Sequence, residues 1–240
     1  MRPDLLPVAL AFSSEELEAI LLTLKVASVA TLATLPVGIA LGWLLARKRF
    51  PGRALLDGLV HLPLVLPPVV TGYLLLAALG RQGWMGAWLA DHLGIVFSFR
   101  WTGAALASAV MGLPLMVRAI RLAIESVDRR YEQAAATLGS SPVVTFFSIT
   151  LPLAAPGIVA GAVLCFAKAL GEFGATITFV SAIPGETQTL AAALYALTQT
   201  PGADSAAWRL TLVAICVSIA ALMASEWLAR RVARQVRGGL

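Results

Sequence analysis

Charge is what this chain has least of. Only 13% of its 240 residues are Asp, Glu, Lys or Arg, against 59% hydrophobic, and a soluble domain usually carries about 25% charge. That shortage excludes an ordinary water-soluble globule and makes a bilayer the solvent for most of the chain. Cysteine is nearly absent. Cys165 and Cys216 each fall inside an apolar run with no ligand spacing around them, which excludes a disulfide framework or a metal centre and predicts two buried free thiols. No G-x-x-x-x-G-K-[ST] phosphate loop occurs, so this chain does not itself hydrolyse ATP. No two halves repeat, which argues against the many secondary transporters built from repeats. No paired Asp or Ser/His set lies within the apolar runs, which argues against an intramembrane enzyme; His61 reads as an interfacial residue.

What is present is apolar length. A helix needs about 20 apolar residues to cross the hydrocarbon core, and five segments reach it: 20–46, 55–79, 101–123, 155–181 and 207–229. Residues 84–99 and 187–200 are shorter and more polar. They read as external helices lying at the interface, with Trp84 and Trp88 one turn apart as anchors; a sixth span is the alternative. The expected fold class is an all-α membrane protein of five, alternatively six, transmembrane helices, forming one domain over 1–240. The N-terminal "MRPDLLPVALAFSSEE" is interrupted by Pro7 and too short for a signal peptide's apolar core, so it reads as an external or interfacial lead-in.

The formal net charge of +5 sorts by side. Arg47, Lys48, Arg49 and Arg53 follow the first span, Arg118, Arg121, Arg129 and Arg130 the third, and Arg230, Arg231, Arg234 and Arg237 the fifth. Arg2, Arg81, Arg100 and Arg209 face the other way. The excess is topological rather than a nucleic-acid footprint, and it puts the N-terminus outside and the C-terminus in the cytoplasm.

Two places inside the spans are chemically unusual. Pro63, Pro67 and Pro68, followed by Thr71, remove backbone donors and kink or break the second span. Such breaks persist in a membrane only where protein or water satisfies the freed groups. Lys168 and Glu172 stand four apart in the fourth span, before Phe173. A mid-bilayer charge costs at least about 2.5 kcal/mol on insertion scales, so the two face protein or water and pair. They either lock helices together or stand beside a gate. Gly38/Gly42 and Gly157/Gly161 permit close helix approach.

The cytoplasmic segment between the third and fourth spans, 118–154, reads "YEQAAATLGSSPVVTFFSITLPLAAPG" over 131–157. Ala134, Ala135 and Ala136 favour a helix over 132–138, Gly139 ends it, and Ser140, Ser141 and Pro142 supply turn chemistry. Residues 143–150 are apolar again, and Leu151-Pro152 is expected to stop that second piece. An amphipathic helix held out from the membrane suits insertion into a groove on another protein.

This segment resembles the EAA motif of prokaryotic ABC-importer permeases: Glu-Ala-Ala, three residues, Gly, nine residues, Ile, one residue, Leu-Pro. Ala134, Ala135, Gly139, Ile149, Leu151 and Pro152 stand at matching positions; Gln133 replaces the motif's Glu, and the acid is its neighbour Glu132. With "HLPLVLPPVVTGYLLL" at 61–76 and "ALGEFGAT" at 169–176, the chain resembles the permease subunits of molybdate ABC transporters (the ModB type). Sulfate, thiosulfate and tungstate permeases are similar alternatives, and a secondary oxyanion transporter or channel is the alternative of another class. The resemblance implies a type I (MetI-like) permease fold in the bacterial inner membrane and a docked cytoplasmic ATPase in two copies. That partner, not this chain, would hold ATP and Mg; this chain binds no cofactor. It also implies an external oxyanion-binding protein. Five helices are few to enclose a polar path, so a homodimer of the permease is expected, and the broken second span with the charged pair of the fourth makes Pro67, Pro68, Thr71, Lys168, Glu172 and Phe173 the candidate translocation path or gate.

Overall fold

The computed structural model describes residues 13–238; the N-terminal lead-in up to Phe12 lies outside them. Helix α1 (Ser14–Arg47) opens with a capping box, in which Glu16 N–H donates to the Ser13 hydroxyl and Ser13 N–H to the Glu16 carboxylate. It is followed by α2 (Arg53–Val65), α3 (Pro68–Leu79), α4 (Trp84–Leu93), α5 (Trp101–Ser126), α6 (Arg129–Thr137) and α7 (Pro142–Thr145). A π-turn over Phe146–Thr150 leads into α8 (Leu151–Leu170), then α9 (Gly174–Val180), α10 (Leu190–Thr198) and α11 (Asp204–Gly238).

Four helical stretches are long and apolar enough to cross a membrane: Ser14–Arg47, Trp101–Ser126, Pro142–Leu170 and Asp204–Ala224. The fifth expected span exists only as the pair α2 and α3, bent by 115° at Leu66-Pro67. Each limb is under 20 Å long at about 1.5 Å per residue, too short to cross alone. Neither α4, with 10 residues, nor α10, with 9, supplies a sixth.

Helix α5 is the axle. Ala104, Ala107, Ser108, Met116, Val117 and Ile120 are fully buried. Both small-residue pairs are spent on it. A Cβ on Gly38 would lie 2.6 Å from Met116 Sδ, and one on Gly42 2.8 Å from Ile120. A Cβ on Gly157 would collide with Ala123, and one on Gly161 would reach the Met116 carbonyl at 3.0 Å. Thus α1 and α8 both lie backbone-close on α5, the arrangement small residues permit in apolar surroundings. Glu16 accepts from Arg209 at 2.6 Å, tying the N-terminal end of α1 to α11.

Three sequence expectations need correction. Leu151-Pro152 does not stop a helix: the chain is helical without interruption from Pro142 to Leu170. The Pro152 ring and its missing N–H are accommodated because the preceding turn is widened to π geometry, with Leu151 N–H reaching back to the Phe146 carbonyl. The fourth span therefore runs 142–170 rather than 155–181, and it breaks at Gly171 before the separate α9. Glu172 consequently lies beyond the helix end rather than on it. Finally, Cys165 is buried but Cys216 is exposed on α11, because that helix packs along one side only.

Candidate functional site: a loop helix tied to three spans, and a broken-helix elbow

Asp128 caps α6 by accepting from Arg130 N–H at 2.9 Å, and its acid also suits the helix N-terminus. The C-terminus closes as a Schellman turn: Ser140 N–H donates to the Ala135 carbonyl at 3.0 Å and Gly139 N–H to the Ala136 carbonyl at 3.0 Å. Gly139 takes φ +84°, with open space where a Cβ would stand. It is needed for its backbone angle, not for room.

Glu132 is the pivot. Its Oε1 accepts from Arg47 Nε at 3.1 Å and Nη2 at 3.0 Å, at the last turn of α1. The same oxygen accepts from Thr150 Oγ1 at 2.7 Å, in the π-turn that heads the fourth span. Arg47 also donates to the Val127 carbonyl at 3.0 Å, just after α5. One carboxylate and one guanidinium thus fasten the loop helix to three spans. Trp43 and Phe146 add an edge-to-face contact at 5.8 Å.

The rest of α6 is open. Arg130, Gln133, Ala134, Thr137 and Leu138, spaced i, i+3, i+4, i+7, i+8, are all exposed, and Leu138 is 88% exposed. Ala135 is half-buried, on the side of Glu132, and Ile149 and Leu151 are half-buried beyond the turn. Gln133, at the motif's acid position, faces outward, and the neighbouring acid faces in.

The second constellation lies at the elbow. A Cβ on Gly72 would stand 2.5 Å from the Ala175 carbonyl, and one on Gly174 2.8 Å from Pro68 Cβ, so α3 and α9 meet backbone to backbone. That contact brings Pro68 and Thr71 beside Phe173 and Glu172. Glu172 is 2% exposed. Its two oxygens accept from Lys168 Nζ at 2.5 Å and from Ala175 N–H at 2.9 Å, the first turn of α9. The carboxylate therefore splices the broken ends of α8 and α9. Thr71 Oγ1 is buried without a hydrogen-bond partner. Phe173 stacks, tilted, on Tyr195 at 5.0 Å, while Pro67 and Pro68 are exposed on the outer side of the elbow. Elsewhere Arg121 joins Asp57 at 2.9 Å and Glu125 at 2.8 Å. His61 Nδ1 lies 2.8 Å from the Asp57 carbonyl. Among the described residues no group of three or more His, Cys, Asp or Glu is placed to hold a metal.

Sequence reasoning missed Arg47 and Thr150 as partners of Glu132, and Leu138 as the exposed tip of α6. Arg47 was visible only as one more positive charge. Leu138 could have been found, because it lies on one helical stripe with Ala134.

The chain is similar to known proteins along nearly its whole length. It is 60% identical over 215 residues to the molybdenum transport system permease protein ModB of Escherichia coli K12, covering 90% of this chain and 94% of that one. It is 55% identical over 224 residues to the ModB of Haemophilus influenzae, covering 93% and 98%. The sulfate transport system permease protein CysT of E. coli K12 is 35% identical over 219 residues, covering 90% of this chain and 77% of CysT. In fold it resembles a chain of the bacterial ABC transporter that imports alginate, with TM-score 0.75, 19% identity and 96% of this chain covered. A chain of the inward-facing MetNI methionine ABC transporter gives TM-score 0.69 at 16% identity, covering 97% of this chain and 99% of that one. Residues 38–237, which hold the loop helix and the elbow alike, match the model of the binding-protein-dependent transport system inner membrane component, and it is to that family of membrane permeases that this chain belongs.

Proposed function

We propose that this chain is the membrane-spanning subunit of an ATP-driven importer that moves molybdate into the cytoplasm by alternating access. The observation that carries the reading is the 60% identity to ModB across 90% of the chain, against 35% to the sulfate permease. In this reading two copies of a cytoplasmic ATPase bind the open face of α6, and an external oxyanion-binding protein delivers the substrate. ATP and Mg are held by the ATPase.

The geometry supports a mechanism of contact. Force applied to α6 passes through Glu132 to Arg47 and Thr150, and so to the lower ends of α1 and of the fourth span. The last turn of that span carries Lys168, whose partner Glu172 accepts from the first turn of α9, and α9 lies backbone-close on α3. A push on the loop helix thus reaches the elbow through packed elements alone. A single copy leaves Pro67 and Pro68 at an open surface, so a second copy related by a two-fold axis supplies the other wall of the path.

The test of substrate is uptake by the reconstituted complex with competing anions. Molybdate uptake should be competed strongly by tungstate, equal in charge and nearly equal in size, and weakly by sulfate. Equal competition by sulfate overturns the assignment to molybdate.

Orientation is tested separately. The basic clusters support a reading in which the C-terminal ends of α1 and α11 lie in the cytoplasm. Single cysteines replacing Arg49 or Arg234 should resist an impermeant thiol reagent added outside intact cells, and one replacing Gly202 should react. The reverse labelling inverts the topology.

A further inference from the structure

Two cavities adjoin beside the loop helix and share Trp43, Pro142 and Phe146 as a common wall. One is an apolar cleft of about 500 Å³ between Pro36, Ile39 and Ala40 of α1 and Val143, Phe147 and Leu151 at the head of the fourth span. The other, a more polar cavity of about 260 Å³, is lined by Arg47, Lys48 and Arg129 together with Glu132. Arg47 is engaged by Glu132. Lys48 lies over the Trp43 ring at 5.4 Å. Lys48 and Arg129 are exposed, and neither side chain has a hydrogen-bonded or ionic partner among the described residues.

We infer that this compound groove is a binding site for one anionic phospholipid of the inner leaflet, its acyl chain in the apolar cleft and its phosphate between Lys48 and Arg129. The argument is complementarity along one axis. The apolar part faces α1 and the fourth span, both of bilayer-crossing length and hydropathy, where a lipid chain is the solvent. Lys48 stands where α1 ends and Arg129 where α6 begins, and the end of a bilayer-crossing helix is where lipid headgroups lie. Basic residues between spans at the cytoplasmic surface recognise anionic headgroups, and Trp43 at the junction is the residue type that sits at that boundary. A soluble anion would leave the apolar cleft unfilled, and a zwitterionic lipid would leave the two cations uncompensated. The lipid would tie α1 to α6 alongside the Arg47–Glu132 pair. The inference needs only that the chain sits in a membrane and does not depend on which substrate it carries.

The test is lipid retention by the full-length chain, measured by native mass spectrometry after reconstitution in nanodiscs of phosphatidylglycerol and phosphatidylcholine. The expected result is one tightly held phosphatidylglycerol per chain. Lys48→Gln and Arg129→Gln should each lower the preference for phosphatidylglycerol about fivefold, the effect of one cation near an anionic surface. Ala40→Trp fills the cleft without changing charge and should displace the lipid. Arg49→Gln removes a neighbouring exposed cation outside the groove and should change little. Monodisperse elution and unchanged thermal unfolding show that a variant is folded. Equal loss from Arg49→Gln and Lys48→Gln, or retention unaffected by Ala40→Trp, overturns the site.

Discussion

Glu132→Ala should reduce transport at least tenfold while leaving the amount of inserted permease unchanged. The substitution removes the acceptor for Arg47 Nε, Arg47 Nη2 and Thr150 Oγ1 together. Hydrogen bonds to a charged group contribute about 1.5–3 kcal/mol each in isolation, but these share one oxygen and do not add. The Glu132 side chain is 23% exposed and that of Arg47 8%, so solvent screens part of the loss. A net weakening of the loop attachment by about 2 kcal/mol remains, which is roughly a 30-fold shift in how firmly α6 is held. Nothing in a bilayer-spanning core is touched, so insertion survives. Hydrogen exchange over 129–137 should quicken, and stimulation of the ATPase by the permease should fall with uptake. Glu132→Gln keeps an acceptor for Thr150 but loses the ion pair, and should lie between. Gln133→Ala, one position away at the site of the motif's acid, should transport nearly normally because that side chain faces outward. Normal uptake by Glu132→Ala would show that the anchoring carboxylate is not part of the coupling path.

That contrast also shows where the sequence was readable. The apolar runs and the clusters of arginine marked the first, third and fifth crossing helices to within about six residues, because hydropathy is a property of each segment alone, but they placed the fourth span at 155–181 where the helix runs over 142–170. The loop helix was legible from its alanines and from Gly139, whose +84° φ is the angle a helix-ending glycine supplies. What failed was what depends on distant partners. Arg47 and Glu132 are 85 residues apart, and nothing local to either says that they meet. Pro152 looked like a stop because proline usually is one inside a helix; the π-turn that rescues it has no signature in Phe146–Thr150. The elbow was half legible. Pro67 and Pro68 announced a break, but the 115° turn and the seating of Gly72 against Ala175 follow from how α9 folds back after Gly171. Ala135 illustrates the limit at one residue: an alanine run signals a helix and does not tell which alanine faces the body of the protein.

The second large effect is expected on the outward face of α6. Ala134→Asp and Leu138→Asp should each abolish permease-dependent stimulation of the ATPase and reduce uptake by more than tenfold. Both residues are exposed in the free chain, so an added carboxylate is hydrated at no folding cost. Docking into an apolar groove would strip that hydration, and burying an unpaired charge costs several kcal/mol. Ala135→Asp differs in kind, because Ala135 is half-buried beside Glu132, and it should loosen the loop itself through like-charge repulsion. Gly139 separates orientation from surface chemistry. A Cβ there meets nothing, so Gly139→Val acts only through the left-handed backbone, at roughly 1–2 kcal/mol or more for a β-branched residue. Gly139→Asn, a residue that visits that region readily, should retain most activity where Gly139→Val does not. Gln82→Asp, exposed in the turn after α3 on the opposite side, is the control and should leave coupling intact. Co-purification of the ATPase measures docking, and uptake with ATP hydrolysis measures coupling. If Ala134→Asp and Leu138→Asp both retain the ATPase and transport at the normal rate, the exposed stripe of α6 is not the surface on which the motor acts.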